Sequence, residues 1–515
     1  MTAAQVAARA RSARLDELLE ARWATPALLT ALVGFSLLVR TRELGAGFWI
    51  DEGISVGIAH HHVTSIPHLL RQDGSPPLYY LLLAVWVRLF GDGVQATHVL
   101  SLLCVLAAIP LSYAVARRLF DRLTGWCCAT LVAFDPFLTY YGQETRMYAL
   151  VALLSLVAVL AYVEGVVRGR RRWLPLLSIS LAAMAYSHNW ALFFCVGLAA
   201  ATAIAARDRF RELLYAGVGA FVLYLPWVPT ILFQARHTGA PWATAPSVHD
   251  LIVAPGAVLP DDGALTAFVL IGGAALFKAL RGRESDERRT IVTLGLACAV
   301  AIVIAWVLSF ATPEWTGRYF AALLGPLVVI SARGIARAGW LGAAAMVVVL
   351  FFWIGSVQKD NKENAKQIAA AVLPGMHPGE LVVSTQPEQV PVFRYYLGPG
   401  FRYATTIGPV PDPQIFDWRD AVTRLRAAGP RPTLDALLRT VKPGEQFVVV
   451  SPVFRSYQAW KATWTKLVWQ RSGSWRTLLA HDPRVRLVRH AWTNEVAVHE
   501  NYFKLMQAFV YERVS

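Results

Sequence analysis

Long apolar runs dominate the first 357 residues, at 24–40, 76–90, 96–116, 123–139, 147–167, 173–187, 190–206, 213–234, 264–280, 290–311, 316–332 and 338–357. An α-helix rises about 1.5 Å per residue and a bilayer core is about 30 Å thick, so most of these runs predict membrane-crossing helices. The run at 76–90, "PPLYYLLLAVWVRLF", differs: it is short, opens on two prolines and carries Arg88 near its end. Runs of that length are more often re-entrant or interfacial than spanning. It is predicted to lodge along one membrane face, which leaves eleven spans.

After residue 357 the periodicity changes. "ELVVST" (380–385) and "QFVVVSP" (446–452) read as buried strands, and "VRLVRHA" (485–491) with "EVAVHEN" (495–501) as a closing pair. Helix-like stretches fall near 363–373, 387–397, 418–441 and 456–470. Strands alternating with helices predict a small α/β domain over 358–515. "LGPGF" (397–401) lacks the lysine and the spacing of a phosphate-binding loop. The four tryptophans of "SYQAWKATWTKLVWQRSGSW" (456–475) are suited either to stacking on sugar rings or to filling a core.

The connections between runs assign the faces. Five are basic: "RRLFDR" (117–122), "RGRRR" (168–172), "RDRFRE" (207–212), "RGRESDERR" (281–289) and "RGIAR" (333–337). They recur at every second connection, and the positive-inside rule places them in the cytoplasm. Residues 1–23 mix Arg9, Arg11, Arg14 and Arg22 with Asp16, Glu17 and Glu20, too mixed for a cleaved signal peptide. They are expected to be a cytoplasmic amino-terminal segment. By the same parity residues 41–95, "YYGQETRMY" (140–148), "SHN" (187–189), 235–263, "TPEWTGR" (312–318) and the tail domain lie outside.

Composition agrees with a multi-pass protein of the plasma membrane: 56% of the 515 residues are hydrophobic and only 16% are charged. The formal charge of +15 sits in the short loops, as topology signals do, which argues against nucleic acid as a partner. Cys104, Cys127, Cys128, Cys195 and Cys298 all lie in apolar runs without metal spacing and read as small buried hydrophobes.

The outer connections collect polar residues beside span ends: Asp51, Glu52, Glu144, Arg146, His188 and Arg318. Each has a plainer reading. A carboxylate at a span end is often just hydrated; Glu144 can favour a helix dipole, Arg318 can snorkel, and Tyr140, Tyr141 and Tyr148 can belong to an aromatic belt. Together on one face they fit base chemistry, a carboxylate taking a hydroxyl proton while arginine or histidine stabilises a departing phosphate. That combination suits glycosyl transfer from a bilayer-anchored sugar phosphate.

The ordered motifs "WIDEG", "GSPPLYYLL", "RRLFDRLTGWCCATLVAFDPFLTYYGQETRMYAL" and "GRYFAALLGP" resemble bacterial members of the GT-C glycosyltransferase superfamily, in the branch of the protein O-mannosyltransferases and the lipid A aminoarabinose transferase. The resemblance covers roughly residues 24–357. It implies an α-helical transmembrane catalytic domain with membrane-parallel helices in its first outer loop, a polyprenyl-phosphate sugar as donor, and an inverting reaction. It implies Asp51 as base, with Glu52 and Glu144 as further acids, and Arg318, then Arg146 and His188, near the donor phosphate. Gln143, Tyr148 and Tyr319 are expected at the substrate. No cofactor is expected; a divalent metal is compatible with the chemistry but, by the same resemblance, not required. Ser75 stands where protein O-mannosyltransferases have a histidine before their paired prolines, and no stretch is long enough for their β-trefoil insertion. Both departures weigh against a protein acceptor, leaving glycolipid and polysaccharide beside it. The alternative class is a lipid or sugar transporter, which would place ionisable groups at mid-membrane between inverted repeats.

Overall fold

The computed structural model describes residues 23–259, 285–355, 362–453, 461–492 and 505–515. The amino-terminal segment, the apolar run at 264–280 and the strand expected at 495–501 lie outside them. The described chain forms a helical bundle followed by a sheet domain.

Five described helices are long and apolar enough to cross a membrane by length and composition: Val94–Leu119, Tyr148–Val167, Arg207–His237, Asp286–Ala311 and Gly317–Arg337. Shorter apolar helices occupy Ala24–Arg40, Leu78–Phe90, Arg122–Phe134, Ala191–Ala205 and Trp340–Trp353. Several runs that look continuous in sequence are broken. The run at 123–139 stops at Asp135, whose Oδ1 accepts the Leu138 N–H at 2.9 Å and caps a new helix, Pro136–Tyr141. Pro136 has no N–H to continue the previous helix and is well placed at the first turn of the next.

Small residues set the helix spacing, as they do where lipid gives no hydrophobic push between helices. A Cβ on Gly197 would stand 2.2 Å from the Ala297 carbonyl oxygen, so Ala191–Ala205 and Asp286–Ala311 touch backbone to backbone there. Gly325 likewise sits against Ser155, whose Oγ accepts its N–H at 2.9 Å.

The basic loops meet at one end of the bundle. Buried Glu164 pairs with Arg118, Arg168 and Arg170; Arg171 pairs with Glu212; Arg289 pairs with Asp208. Arg333 joins Asp121 and Glu287. Five loops distant in sequence thus form one ionic belt, while the acidic first loop and its partners gather at the other end.

The tail carries a six-stranded sheet of order β3-β2-β1-β4-β6-β5. The strands are β1 (Leu381–Ser384), β2 (Arg402–Thr405), β3 (Gly408–Pro409), β4 (Gln446–Pro452), β5 (Val485–Ala491) and β6 (Met506–Arg513). β2, β1 and β4 run parallel, and β6 pairs antiparallel with both β4 and β5. The partner of β5 is therefore β6, a strand the sequence pattern did not single out. Of the tryptophans in 456–475, Trp464 and Trp475 are buried core residues.

The tail docks on the connection between Ala24–Arg40 and Val94–Leu119 through glycines one helical turn apart. In Ile50–His60, a Cβ on Gly57 would lie 1.8 Å from the Gln414 carbonyl oxygen, and one on Gly53 would lie 2.6 Å from Val392 Cγ2. Backbone hydrogen bonds extend the joint: Trp418 N to Gln72 O (3.0 Å), Asp420 N to His237 O (2.7 Å) and Trp464 N to Pro241 O (3.0 Å).

Candidate functional site

Below the docked tail lies a cavity of about 530 Å³, within the range of about 300–1,000 Å³ usual for small-molecule sites. The connection 41–93, the residues just before Tyr148, the loops after Ser187 and Ala311, the segment 231–242 and the tail all line it. Asp51 enters from the first turn of Ile50–His60, where a carboxylate is favoured by the helix N-terminus. Arg146 precedes the helix Tyr148–Tyr162, His188 caps the end of Leu174–Ser187, and Arg318 opens the tight helical segment Gly317–Leu323.

Two guanidiniums flank one carboxylate. Asp51 Oδ2 lies 3.3 Å from Arg318 Nη2 and 3.7 Å from Arg146 Nη2. Arg146 is held in place by donating to Ser55 Oγ and Tyr80 Oη, both at 3.1 Å. Arg318 rests over the rings of Trp49 and Tyr319, at 5.2 and 5.7 Å from their centroids, and its Nε is buried without a hydrogen-bond partner. A guanidinium with an unused N–H beside its single carboxylate contact is suited to an incoming anion.

His188 belongs to this group but not as a cation. Its Nδ1 accepts the Trp190 N–H at 3.2 Å, so the neutral ring carries its proton on Nε2. Burial, together with Arg146 and Arg318, pushes its pKa down to about 3. His188 therefore offers a neutral donor beside the two arginines. Tyr319 also lines the cavity; Tyr148 stands behind it, 5.7 Å from the His188 ring.

Three expected site residues face elsewhere. Glu52 is completely buried outside the cavity wall, where both its oxygens lie 3.0 Å from Lys362 Nζ. Its Oε1 also receives His98 Nε2 at 2.6 Å and the Thr145 N–H at 2.7 Å. Burial alone would raise its pKa; the Lys362 ammonium, then His98 and Thr145, outweigh that and hold the carboxyl low. Lys362 further donates to the Gln143 carbonyl at 2.6 Å, tying the loops that carry Glu52 and Gln143 to the start of the tail. The Gln143 side chain is used internally, accepting from Glu43 N and donating to Thr139 O. Glu144 is buried against Tyr140 and Tyr141 rather than on the cavity wall.

The structure adds acids that sequence spacing did not reveal. Asp73, Glu314 and Glu388 all line the cavity. Asp73 stands two residues before Ser75 in the short prolyl segment, where a closer look at "DGSPP" would have found it. Glu388 lies in the tail, more than 300 residues from Asp51 in sequence, and no local signal points to it.

This geometry has known relatives. A family model described as dolichyl-phosphate-mannose-protein mannosyltransferase matches residues 74–232. An undecaprenyl phosphate-alpha-4-amino-4-deoxy-L-arabinose arabinosyl transferase of Pseudomonas fluorescens is 26% identical over 229 residues, 41% of this chain and 40% of that relative. The chain thus spans well under half of that relative's length. ArnT from Cupriavidus metallidurans, solved bound to undecaprenyl phosphate, superposes with a TM-score of 0.63 at 13% identity, over 95% of this chain and 98% of that one. The mycobacterial arabinofuranosyltransferase AftD gives 0.56 at 14% identity, over 95% of this chain and 40% of its own. The chain shares the fold of these solved transferases, and five of its described helices are long and apolar enough to cross a membrane. In sequence it resembles the protein mannosyltransferase model and the aminoarabinose transferase it matches, as its motifs imply.

Proposed function

We propose that the protein transfers a sugar from a polyprenyl-phosphate donor to a hydroxyl of a cell-envelope acceptor, at the outer face of the plasma membrane and with inversion. The observation that carries this reading is the Arg146–Asp51–Arg318 cluster on the cavity wall. In the reaction the acceptor oxygen bonds to the anomeric carbon as the bond from that carbon to the phosphate oxygen breaks. Asp51 takes the hydroxyl proton, and polyprenyl phosphate leaves with the bonding electrons.

The same cluster explains how the base is released. Without donor, the guanidiniums neutralise Asp51. An incoming phosphate is a stronger bidentate partner for them, and its arrival frees the Asp51 carboxylate for the acceptor hydroxyl. The two arginines supply the positive charge at the leaving group, so this reading includes no metal. Glu52 acts as a brace and not as an acid or base, and Glu144 fixes the tyrosines behind the site. The ionic belt faces the cytoplasm and the tail domain lies outside, as the basic loops imply.

The likeness to transferases acting on lipid-linked sugars supports the donor class, and both mannose and arabinose fit it. Purified protein in liposomes, offered polyprenyl-phosphate mannose and polyprenyl-phosphate arabinose with envelope glycolipids, tests the proposal. Inverted product from either donor supports it. Release of neither sugar from its phosphate favours the transporter class instead.

A further inference from the structure

The cavity lining also includes Glu388, Gln234 and Trp242, and each carries a buried polar atom with no partner among the described residues. These atoms are Glu388 Oε2, Gln234 Oε1 and Trp242 Nε1. Buried polar groups in folded proteins are almost always paired, so three bare ones around one cavity point to a ligand. Their arrangement is fixed from behind. Glu388 Oε1 accepts from Trp464 Nε1 at 3.0 Å and Gln386 Nε2 at 3.1 Å, which turns Oε2 away from these donors. Trp464 is itself wholly buried against Phe416 and Trp418. Gln234 Nε2 donates to Leu70 O at 2.9 Å and Ser75 O at 3.3 Å, leaving its Oε1 free.

We propose that this lining binds the acceptor as a sugar residue, and that Glu388 brings the tail domain into the site as an acceptor-binding residue. The inference rests on the cavity being a glycosyl-transfer site and names its second substrate. A carboxyl, an amide oxygen and an indole N–H around one cavity match a ligand with several hydroxyls, each able to donate and accept. The Trp242 indole, backed by the buried Trp418 ring at 4.6 Å, gives the cavity a rigid aromatic surface for the apolar side of a sugar ring. A serine or threonine side chain offers only one hydroxyl. Burial, helped by the nearby Asp51 charge, pushes the Glu388 carboxyl up to about 7, so it can serve as donor as well as acceptor. The sugar can come from a glycolipid headgroup or from a free glycan; the chemistry recognised is the same.

The test uses the full chain in nanodiscs, with intrinsic tryptophan fluorescence as the readout of binding. The probes are octyl mannoside and octyl arabinofuranoside for a glycolipid, mannobiose and arabinobiose for a glycan, and a Ser/Thr-rich peptide. Glu388→Ala is expected to weaken binding of the favoured sugar probe about tenfold, the scale of one lost hydrogen bond. Glu388→Gln should remain near wild type, and undecaprenyl phosphate binding should be unchanged in both. Trp242→Phe keeps the ring, loses the N–H and should weaken the same probe, which provides a second reading if Glu388→Ala does not fold. Equal sugar affinity in wild type and variants, binding of the peptide alone, or no sugar binding at all overturns the inference. Sugar binding that depends on Glu388, in a protein that transfers nothing, would leave this pocket standing and remove the transferase reading. Transfer with an acceptor KM unaffected by Glu388→Ala would do the reverse.

Discussion

Replacing Lys362 with methionine separates a brace from a catalytic acid. Lys362 Nζ bonds both oxygens of Glu52 at 3.0 Å, and the two side chains are 4% and 0% exposed. Removing one member of a buried, hydrogen-bonded ion pair costs about 3–5 kcal/mol, because the other charge stays buried without compensation. His98 and the Thr145 N–H remain beside Glu52, so the lower end, about 3 kcal/mol, is expected here. At 1.4 kcal/mol per factor of ten, that moves the docked–undocked equilibrium of the tail roughly a hundredfold. The assay is limited proteolysis of the detergent-solubilised protein, with tryptophan fluorescence during denaturant titration as a second readout. Glu52→Gln/Lys362→Met removes both charges and is expected to recover much of the loss, with transfer activity near wild type wherever the protein is folded. A Lys362→Met protein as protease-resistant as wild type, or a folded double variant without activity, would refute the brace.

Other consequences follow from the same geometry. Arg318→Ala should weaken donor binding roughly 10- to 100-fold, the range of a charge-assisted hydrogen bond, without lowering thermal stability; a fluorescent polyprenyl phosphate checks this. Gly57→Leu drives a side chain into the Gln414 backbone and should destabilise tail docking by about 1–3 kcal/mol, seen as faster cleavage between bundle and tail. Glu52 is held below its ordinary range, so its stabilisation is complete above the unfolded value of about 4.3 and is lost as pH falls through its depressed folded value. Acid titration of wild type should therefore release the tail in that low window, whereas Glu52→Gln/Lys362→Met should lack this component. Burial beside Arg146 and Arg318 holds His188 well below its usual value, so in the donor-free protein its ring should show no titration between about pH 6 and 7, which NMR of the histidine ring checks.

Much of this structure was legible in the chain because the bilayer restricts what a segment can do. Apolar length marks helices, and loop charge sorts their ends, so the five basic loops met as the pattern required. The Asp51, Arg146, His188 and Arg318 constellation was visible for the same reason: parity puts their loops at one end, and short loops leave little freedom. Three features escaped. Asp135 and Pro136 break an apolar run by capping chemistry, which hydropathy does not register. Glu52 adjoins Asp51, but residues one apart on a helix point about 100° away from each other, and only the fold shows which faces the cavity. Lys362 and Glu388 act across more than 300 residues of sequence, through tertiary contacts that no local period encodes. The pairing of β5 followed the same logic: Met506–Arg513 is an interior strand, paired on both edges by β4 and β5 and largely buried over 506–511, so it shows little alternation.

The most direct test of the central claim is sugar transfer by reconstituted wild type and Asp51→Asn, measured in single turnover with saturating donor and acceptor. Asparagine keeps the size of the side chain but accepts no proton at neutral pH. If Asp51 is the base, the variant folds, binds polyprenyl phosphate at least as tightly because Arg146 and Arg318 are no longer neutralised, and loses about 10²–10⁴ in rate. Transfer at the wild-type rate by Asp51→Asn would contradict the account and direct attention to Asp73 or Glu388 as the proton acceptor.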